Sequence, residues 1–319
     1  MKAWLIIFLS VVHLATFAQA PAIGIKGRAG KTSIDGKYQI ATGNSINLYI
    51  SSDNGNTWTA KESTRDWRGT AINASGQYQS AVAYSDYIYI SSDYGNTWTA
   101  KETSFTRSYN SIAMSASGQY QTLTVFYGTI YISSDYGATW STKSSSRSYI
   151  AAAVNASGQY QTIAVNSGYL YKSSDYGANW TQKGTSRYYF DISMNASGQY
   201  QTAVSNSQQI YISSDYGDNW TAKDSNRAWR SVSVSGSGQY QSAVVYGGQI
   251  YISSDYGATW SAKNSNRNWT KIAVSGSGQY QSATVSSDQI YISSDYGANW
   301  SAKESARAWT SIYINQEQQ

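Results

Sequence analysis

The sequence predicts an all-β protein, a seven-bladed β-propeller of four-stranded antiparallel blades whose ring is closed by the C-terminal strand joining the N-terminal blade. Three observations support this prediction. A turn motif recurs seven times at a nearly constant spacing, each repeat contains four strand-like runs, and the two ends of the array complement each other.

The turn motif is an octet, and residues 253–260 (SSDYGATW) are a typical copy. Its aspartate can accept hydrogen bonds from the backbone N–H groups that follow, and its glycine tolerates a positive φ. Its tryptophan adds a large apolar side chain, which we expect in the core between successive sheets. We therefore expect each copy to form a tight turn between two strands. The aspartates lie 40 residues apart, with one interval of 42, at Asp53, Asp93, Asp135, Asp175, Asp215, Asp255 and Asp295.

Strand-like runs fill each repeat. In the repeat from 227 to 266 they lie at 229–235, 240–246, 249–253 and 260–263. They are rich in β-branched and aromatic residues and are separated by turn residues. The first copy begins with a second strand, whereas the last copy ends with a first strand at 309–315. We expect this last strand to pair beside 38–42, which leaves few exposed edges.

The repeats account for residues 33–319, which we interpret as a single domain preceded by an N-terminal tail or short added strand at 21–32. Residues 1–20 read as a secretory signal peptide, with Lys2, a short apolar run and an A-x-A site. The protein is therefore expected to be secreted, in an extracellular or periplasmic setting.

Composition excludes several classes of function. The chain has no cysteine, and its one histidine, His13, lies in the signal peptide. Thiol nucleophiles, histidine-based triads and the usual zinc sites are thereby excluded. The net charge of +5 is spread along the repeats without Lys/Arg blocks, so a nucleic-acid partner is not expected. No later run is long and apolar enough to predict a membrane span.

The predicted blade has two faces. The octets and the Ser-Gly-Gln-Tyr-Gln turns share one face and hardly vary among copies. The turns between second and third strands and the segments between blades share the other, which we call the variable face. Variation on a rigid scaffold is typical of ligand contacts.

Each segment between blades carries the pattern Arg-x-Trp or Arg-x-Tyr. An aromatic face packs on a sugar ring, and a guanidinium donates paired bonds to hydroxyls or a carboxylate. The same pair can instead be a packing element, with the arginine stacked on an aromatic ring and the aromatic residue opening the inner strand. Both interpretations stay open for Arg65/Trp67, Arg107/Tyr109, Arg147/Tyr149, Arg187/Tyr189, Arg227/Trp229, Arg267/Trp269 and Arg307/Trp309.

The octet pattern S-x-D-x-G-x-[TN]-W resembles the Asp-box, the bacterial neuraminidase repeat of sialidase-like β-propellers. The resemblance implies the propeller fold. The seven aspartates could be calcium ligands or could close the turns, and turn closure is favoured because each copy offers one carboxylate whereas calcium loops supply several oxygens, so no metal and no cofactor are expected. Sialidases of this superfamily use an arginine triad and carboxylates in non-repeating positions. Here the arginines outside the repeat are Arg28, Arg68 and Arg230, and among carboxylates only Asp66 and Asp191 fall near the inner strand on the variable face.

These observations predict a secreted, non-catalytic, multivalent binding module. The leading hypothesis is lectin-like carbohydrate recognition by the repeated Arg-x-aromatic sites. The alternative is a protein-binding or structural platform of the cell envelope or matrix, and a sialidase-like glycoside hydrolase is a weaker third hypothesis. The partner is accordingly a glycan or a protein at an extracellular surface, and the sequence does not indicate an oligomeric state.

Overall fold

The computed structural model describes residues 35–101 and 106–316, and the regular structure in this part of the chain consists of β-strands alone. The all-β prediction is confirmed. The predicted signal peptide (1–20) and N-terminal tail (21–32) lie outside the described residues. Within the described ranges, no helix has the length and apolar character needed to cross a membrane.

We number the repeat units by their octets, from unit 1 at Asp53 to unit 7 at Asp295. Units 1 to 4 contribute short strands: β1 (Gln39–Gly43), β2 (Ile46–Ser51), β3 (Thr59–Arg65), β4 (Trp67–Ile72), β5 (Gln79–Asp86), β6 (Ile88–Ser91), β7 (Thr99–Lys101), β8 (Arg107–Met114), β9 (Gln121–Val125), β10 (Gly128–Ser133), β11 (Ser141–Arg147), β12 (Tyr149–Val154), β13 (Gln161–Val165), β14 (Gly168–Ser173) and β15 (Thr181–Arg187). The chain continues with β16 (Tyr189–Met194), β17 (Gln201–Ser213), β18 (Thr221–Val234), β19 (Gln241–Ser253), β20 (Ser261–Val274), β21 (Gln281–Ser293) and β22 (Ser301–Ile314).

Consecutive strands pair in antiparallel fashion, as in the four-stranded sheet β12-β13-β14-β15. In the later units two predicted strands run together as one long strand. For example, β18 pairs with β17 through its first half and with β19 through its second half. Register shifts mark these junctions, because an extra residue lets a continuous strand bend from one pairing into the next.

The two ends of the array pair with each other as predicted. Strand β22 is antiparallel to β1, with Ile314 opposite Gln39 and Ile312 opposite Ala41. Beyond the strand, Asn315 N donates to the Tyr38 carbonyl at 2.9 Å, and Tyr38 N donates to Asn315 Oδ1 at 2.8 Å. Asn73 and Tyr78 make the same two bonds within one continuous turn. The split turn of unit 1 is therefore rebuilt from the two ends of the chain.

Each octet forms a closed turn, as the copy at Asp255 shows. Asp255 Oδ1 accepts from Thr259 N at 2.9 Å, and Oδ2 accepts from the Thr259 hydroxyl at 2.6 Å. Gly257 has a φ of +82° and donates its N–H to Ser253 Oγ at 2.9 Å. The predicted turn chemistry is confirmed. Tyr256, which precedes the glycine, also has a positive φ, of +62°.

The core lies between the sheets of neighbouring units. One cluster, for instance, joins Ile130 and Ile132 of unit 3 to Ile163 of unit 4. The octet tryptophans were expected in this core, but they are only half-buried and cover its edge. The indole N–H explains their position, because it donates to the octet glycine carbonyl, as Trp180 does to Gly177 at 3.0 Å. The fully buried tryptophans are Trp67, Trp229, Trp269 and Trp309.

Buried hydrogen bonds link each unit to the next. The hydroxyl of Thr162 donates to Gln201 Oε1 at 2.7 Å, and that of Ser282 in unit 7 donates to Gln39 Oε1 of unit 1 at 2.7 Å. The inner strands also contact one another in succession, in the order β4, β8, β12, β16, β18, β20, β22 and back to β4.

Candidate functional site

The variable face is assembled as the sequence predicts. Each segment between units pairs with the turn between second and third strands of the preceding unit, so the two kinds of segment lie side by side. Arg147 is the partner of Gly128, and Arg187 is the partner of Gly168. On the opposite face, the octets contact the Ser-Gly-Gln-Tyr-Gln turns, as in the bond from Tyr136 N to the Gln119 carbonyl at 3.1 Å.

Every arginine of the Arg-x-aromatic pattern stacks on a tyrosine of a third strand. The guanidinium carbon lies 4.0–5.1 Å from the ring centre, within the range of a cation–π contact. The pairs are Arg65–Tyr89, Arg107–Tyr131, Arg147–Tyr171, Arg187–Tyr211, Arg227–Tyr251, Arg267–Tyr291 and Arg307–Tyr49.

The Trp or Tyr of each Arg-x-aromatic pattern lies beneath the stacked arginine and third-strand tyrosine. The third-strand tyrosine meets the tryptophan of the pattern edge-on, with ring centroids 5.1–5.3 Å apart at Trp67, Trp229, Trp269 and Trp309. Two of the tyrosines that replace tryptophan donate their hydroxyl to the backbone: Tyr149 to the Ser145 carbonyl at 2.9 Å and Tyr189 to the Thr185 carbonyl at 3.0 Å. Burial raises the pKa of Tyr189 to about 12, so its hydroxyl stays protonated at ordinary pH.

The burial of these rings corrects the predicted role of seven residues. Their exposed fraction is 0–2%, so no ring face is available to a sugar. The packing interpretation fits the aromatic half of the pattern, because each ring fills the space between two sheets. The residues concerned are Trp67, Tyr109, Tyr149, Tyr189, Trp229, Trp269 and Trp309.

The arginines of the pattern lie closer to the surface than these aromatic residues, and they differ in their carboxylate partners. Arg65 pairs with Asp86 at 2.8 Å, Arg267 with Asp288 at 3.2 Å, and Arg307 with Glu304 at 3.2 Å. Arg227 lies 3.6 Å from Asp224. Arg147 and Arg187, by contrast, have no carboxylate within ion-pair distance in the described part of the chain. The positions three residues before them hold Ser144 and Gly184, where units 1, 5 and 7 carry an acidic residue.

Exposed tyrosines flank these two arginines. Tyr127 is 75% exposed, and its carbonyl accepts from the hydroxyl of Ser146, next to Arg147, at 3.1 Å. Tyr169 follows Gly168, the pairing partner of Arg187, and Tyr188 follows Arg187 itself. Both rings are exposed. We call Tyr127, Arg147, Tyr169, Arg187 and Tyr188 the open sector.

The open sector was not predicted from the sequence. The position three residues before each arginine separates Ser144 and Gly184 from Glu62, Asp224 and Glu304, but Ser104 and Asn264 are non-acidic as well, so this position alone does not define the sector.

A central cavity of about 270 Å³ lies between the inner strands of the units. Its lining does not repeat, and it includes Arg68, Arg230 and Lys271. Asp191 is the one carboxylate in this lining as far as the structure describes it. This side chain is buried, and its Oδ2 accepts from Lys271 Nζ and from the Ser231 hydroxyl, each at 2.7 Å.

The second carboxylate singled out in the sequence does not line this cavity. Asp66 instead accepts from the backbone N–H and the hydroxyl of Ser45 at the surface, at 2.9 and 3.0 Å. The two acids therefore have separate structural partners.

Among the residues that the structure describes, no group of three acidic, histidine or cysteine side chains is placed to hold a metal ion. The octet aspartates have lowered pKa values. In Asp93 the hydroxyl and backbone N–H of Thr97 are the main cause, and in Asp175 the backbone and side chain of Asn179. In the other five, partial burial raises the pKa, but the hydrogen bonds together outweigh it.

Comparisons with known proteins agree with this geometry. The family model described as BNR-Asp box repeat matches residues 170–183. The fold is similar to that of YCF48 bound to D1 peptide, with a TM-score of 0.61, 16% identity, and coverage of 85% of this chain and 91% of that one. The chain therefore has the fold of a β-propeller, and one of its octets matches the Asp-box repeat.

Two further structures share this fold. YCF48 from Cyanidioschyzon merolae has a TM-score of 0.62 at 14% identity, over 84% of this chain and 91% of that one. The β-propeller domain of Cps50 (Swd1) from Myceliophteria thermophila has a TM-score of 0.59 at 12% identity, over 78% and 90%. No curated protein matches the sequence. At these identities the likeness concerns the fold, and the function of this β-propeller has to be argued from its site.

Proposed function

We propose that this Asp-box propeller is a secreted, non-catalytic binding protein whose seven units are the blades of one closed ring. The ring is supported by the pairing of β22 with β1 and by the bond from Ser282 to Gln39, which joins unit 7 to unit 1. A closed ring holds the segments of the variable face on a rigid scaffold, which is the arrangement that ligand contacts need.

The open sector is the observation that carries the binding function. Arg147 and Arg187 have donors that no carboxylate of the described chain engages, and the exposed Tyr127, Tyr169 and Tyr188 belong to backbone segments next to them. A pyranose ring stacks its C–H face on such a ring, and a guanidinium donates paired bonds to hydroxyls or to a sugar carboxylate. Lectin-like recognition is therefore the function that this geometry supports best. In this proposal the sugar stacks on the exposed tyrosines of the open sector, and the buried aromatic residues of the Arg-x-aromatic pattern do not contact it.

The number of sites follows from the same contacts. The ion pairs of Arg65, Arg227, Arg267 and Arg307 already occupy part of each guanidinium. The open sector has two arginines without such a partner, so it offers two neighbouring sites. Two weak sites on one rigid face gain avidity on a glycan-coated surface.

The proposal that the protein is not an enzyme is supported by the lining of the central cavity. Ordinary glycoside hydrolysis needs two carboxyl groups, one acting as acid and the other as base or nucleophile. Asp191 is the one carboxylate in the described lining of the cavity, and it forms an ion pair with Lys271 at 2.7 Å. Its ion pair and burial fit a structural role.

A protein partner is the second candidate function. YCF48, whose fold this chain shares, has been seen with a bound peptide. The cations Arg68, Arg230 and Lys271 around the central cavity would suit an acidic segment of such a partner.

A glycan array separates the two candidates. We expect the purified protein to bind a subset of glycans, and an excess of the free monosaccharide to remove that binding. The double variant Arg147→Ala/Arg187→Ala should lose the signal, whereas Arg65→Ala/Arg267→Ala, which changes two ion-paired arginines, should retain it. An array without signal, together with a single protein recovered from an envelope extract, would favour the protein partner.

A further inference from the structure

Six pairs of tyrosines repeat on the face of the octets. The tyrosine of each Ser-Gly-Gln-Tyr-Gln turn stacks with the octet tyrosine of the next unit, with ring centroids 4.6–5.2 Å apart. The pairs are Tyr38–Tyr94, Tyr78–Tyr136, Tyr120–Tyr176, Tyr160–Tyr216, Tyr200–Tyr256 and Tyr240–Tyr296. A glycine of the next unit's turn packs against the first tyrosine of each pair, as Gly76 does against Tyr38.

The seventh position breaks this pattern. Tyr280 of unit 7 packs against Gly36, where an added Cβ would lie 2.7 Å from the Tyr280 Cβ. The octet of unit 1 reads SSDNGNTW, so the residue that should stack on Tyr280 is Asn54. The smaller side chain leaves a cleft of about 290 Å³.

The walls of this cleft combine an aromatic ring with polar groups. Tyr280 and Trp300 supply the rings, and Asn54, Asn56 and Lys303 supply amide and ammonium groups. In unit 4 the lysine at the equivalent position, Lys183, pairs with Asp218 of unit 5 at 2.8 Å. This octet position is acidic in unit 5 alone and holds asparagine or alanine in the other six units.

Asn56 occupies the position of Asp218 in unit 1. Lys303 and Asn56 line the cleft together, and Lys303 makes no ion pair with a described residue. Its ammonium group retains donors for a ligand.

We infer that the Asn54 cleft is a single binding site for a pyranose ring, which stacks on Tyr280 in place of the missing tyrosine and accepts hydrogen bonds from Lys303 and Asn56. The volume is at the lower end of ligand pockets, which suits one sugar ring. The aromatic wall recognises the C–H face of the sugar, and the polar wall its hydroxyls. This site lies on the face of the octets, so it is independent of the open sector on the variable face.

Tyrosine-selective NMR tests this inference residue by residue. The protein would be labelled with ¹³C on its tyrosine rings and titrated with the methyl glycosides of glucose, galactose, mannose and N-acetylglucosamine. We expect at least one of them to shift the Tyr280 signal, which Tyr280→Phe identifies by its loss. Asn54→Tyr should fill the cleft and abolish the shift, whereas Asn54→Ala should keep the cleft open and retain it.

The chain also offers a gain of function as a matched control. Tyr94→Asn should open a second cleft over Tyr38, with Asn96, Trp58 and Lys61 in the equivalent positions, so that the Tyr38 signal shifts as well. The inference is overturned if no glycoside shifts the Tyr280 signal, if Asn54→Tyr leaves the shift intact, or if Tyr94→Asn adds none at Tyr38. Shifts of the Tyr127, Tyr169 or Tyr188 signals report binding at the open sector separately, so the result for one proposed site does not depend on the result for the other.

Discussion

The guanidinium carbon of Arg187 lies 4.0 Å from the centre of the Tyr211 ring. Tyr211 in turn meets the buried ring of Tyr189, with centroids 6.4 Å apart. From the surface inwards, the layers are therefore the Arg187 guanidinium, the Tyr211 ring and the buried Tyr189 ring. This order assigns the arginine to the surface and the aromatic partner of the pattern to the core.

The stack should contribute measurably to stability. We expect Tyr211→Leu, which keeps an apolar side chain but removes the π face, to lower the free energy of unfolding by about 1 kcal/mol. Tyr211→Phe keeps the π face and should be nearly neutral. Urea denaturation of the three proteins measures both effects, and equal losses in the two variants would contradict a cation–π contribution.

The buried ring of Trp229 should matter more for stability than for binding. We expect Trp229→Ala to cost about 3–5 kcal/mol of unfolding free energy, because it leaves a large cavity between two sheets. Trp229→Phe fills most of that cavity and should cost clearly less. Should Trp229→Ala instead leave stability unchanged and weaken glycan binding, the ring would have to be accessible and the burial found here would be wrong.

The octet aspartates predict a specific dependence on pH. Their pKa values in the folded protein lie below the ordinary value of 3.8, so the stability they contribute is present above that pH. It is lost as the pH falls through the lowered values and the carboxylates become protonated. The melting temperature should therefore drop steeply below about pH 4. Asp175→Asn removes one of these carboxylates, and its melting curve should depend less on pH, with the curves of variant and parent converging in acid.

The contrast between the octet and the Arg-x-aromatic pattern shows how far the sequence could predict the structure. The octet is local, because Asp255 accepts from Thr259 and Gly257 donates to Ser253 within one turn, and this turn was predicted from residue types alone. The role of Trp229 depends on which sheet face it points to and what packs above it. Both the surface and the core interpretations use the same residue types, so the sequence pattern left both open. The packing contacts between neighbouring units place the Trp229 ring in the core.

The pairing of the two chain ends should be essential for the fold. Deletion of residues 308–319 removes the half of β22 that pairs with β1 and leaves the edge of β1 exposed. We expect this truncation to unfold the protein or to lower its melting temperature strongly. Deletion of 317–319 keeps that strand and Gln316, and it serves as the control. A full truncation that melts like its parent would contradict the closed ring.

Titration calorimetry of the open sector tests the proposed function most directly. The ligand would be the best glycan from the array, in an Asn54→Tyr background that removes any contribution from the cleft on the other face. We predict that Arg147→Ala and Arg187→Ala each lower the stoichiometry by about one, from about two, whereas Arg65→Ala leaves it unchanged. Unchanged stoichiometry in Arg147→Ala and Arg187→Ala, with only a lowered melting temperature, would show that these arginines serve packing alone and would contradict the binding site proposed here.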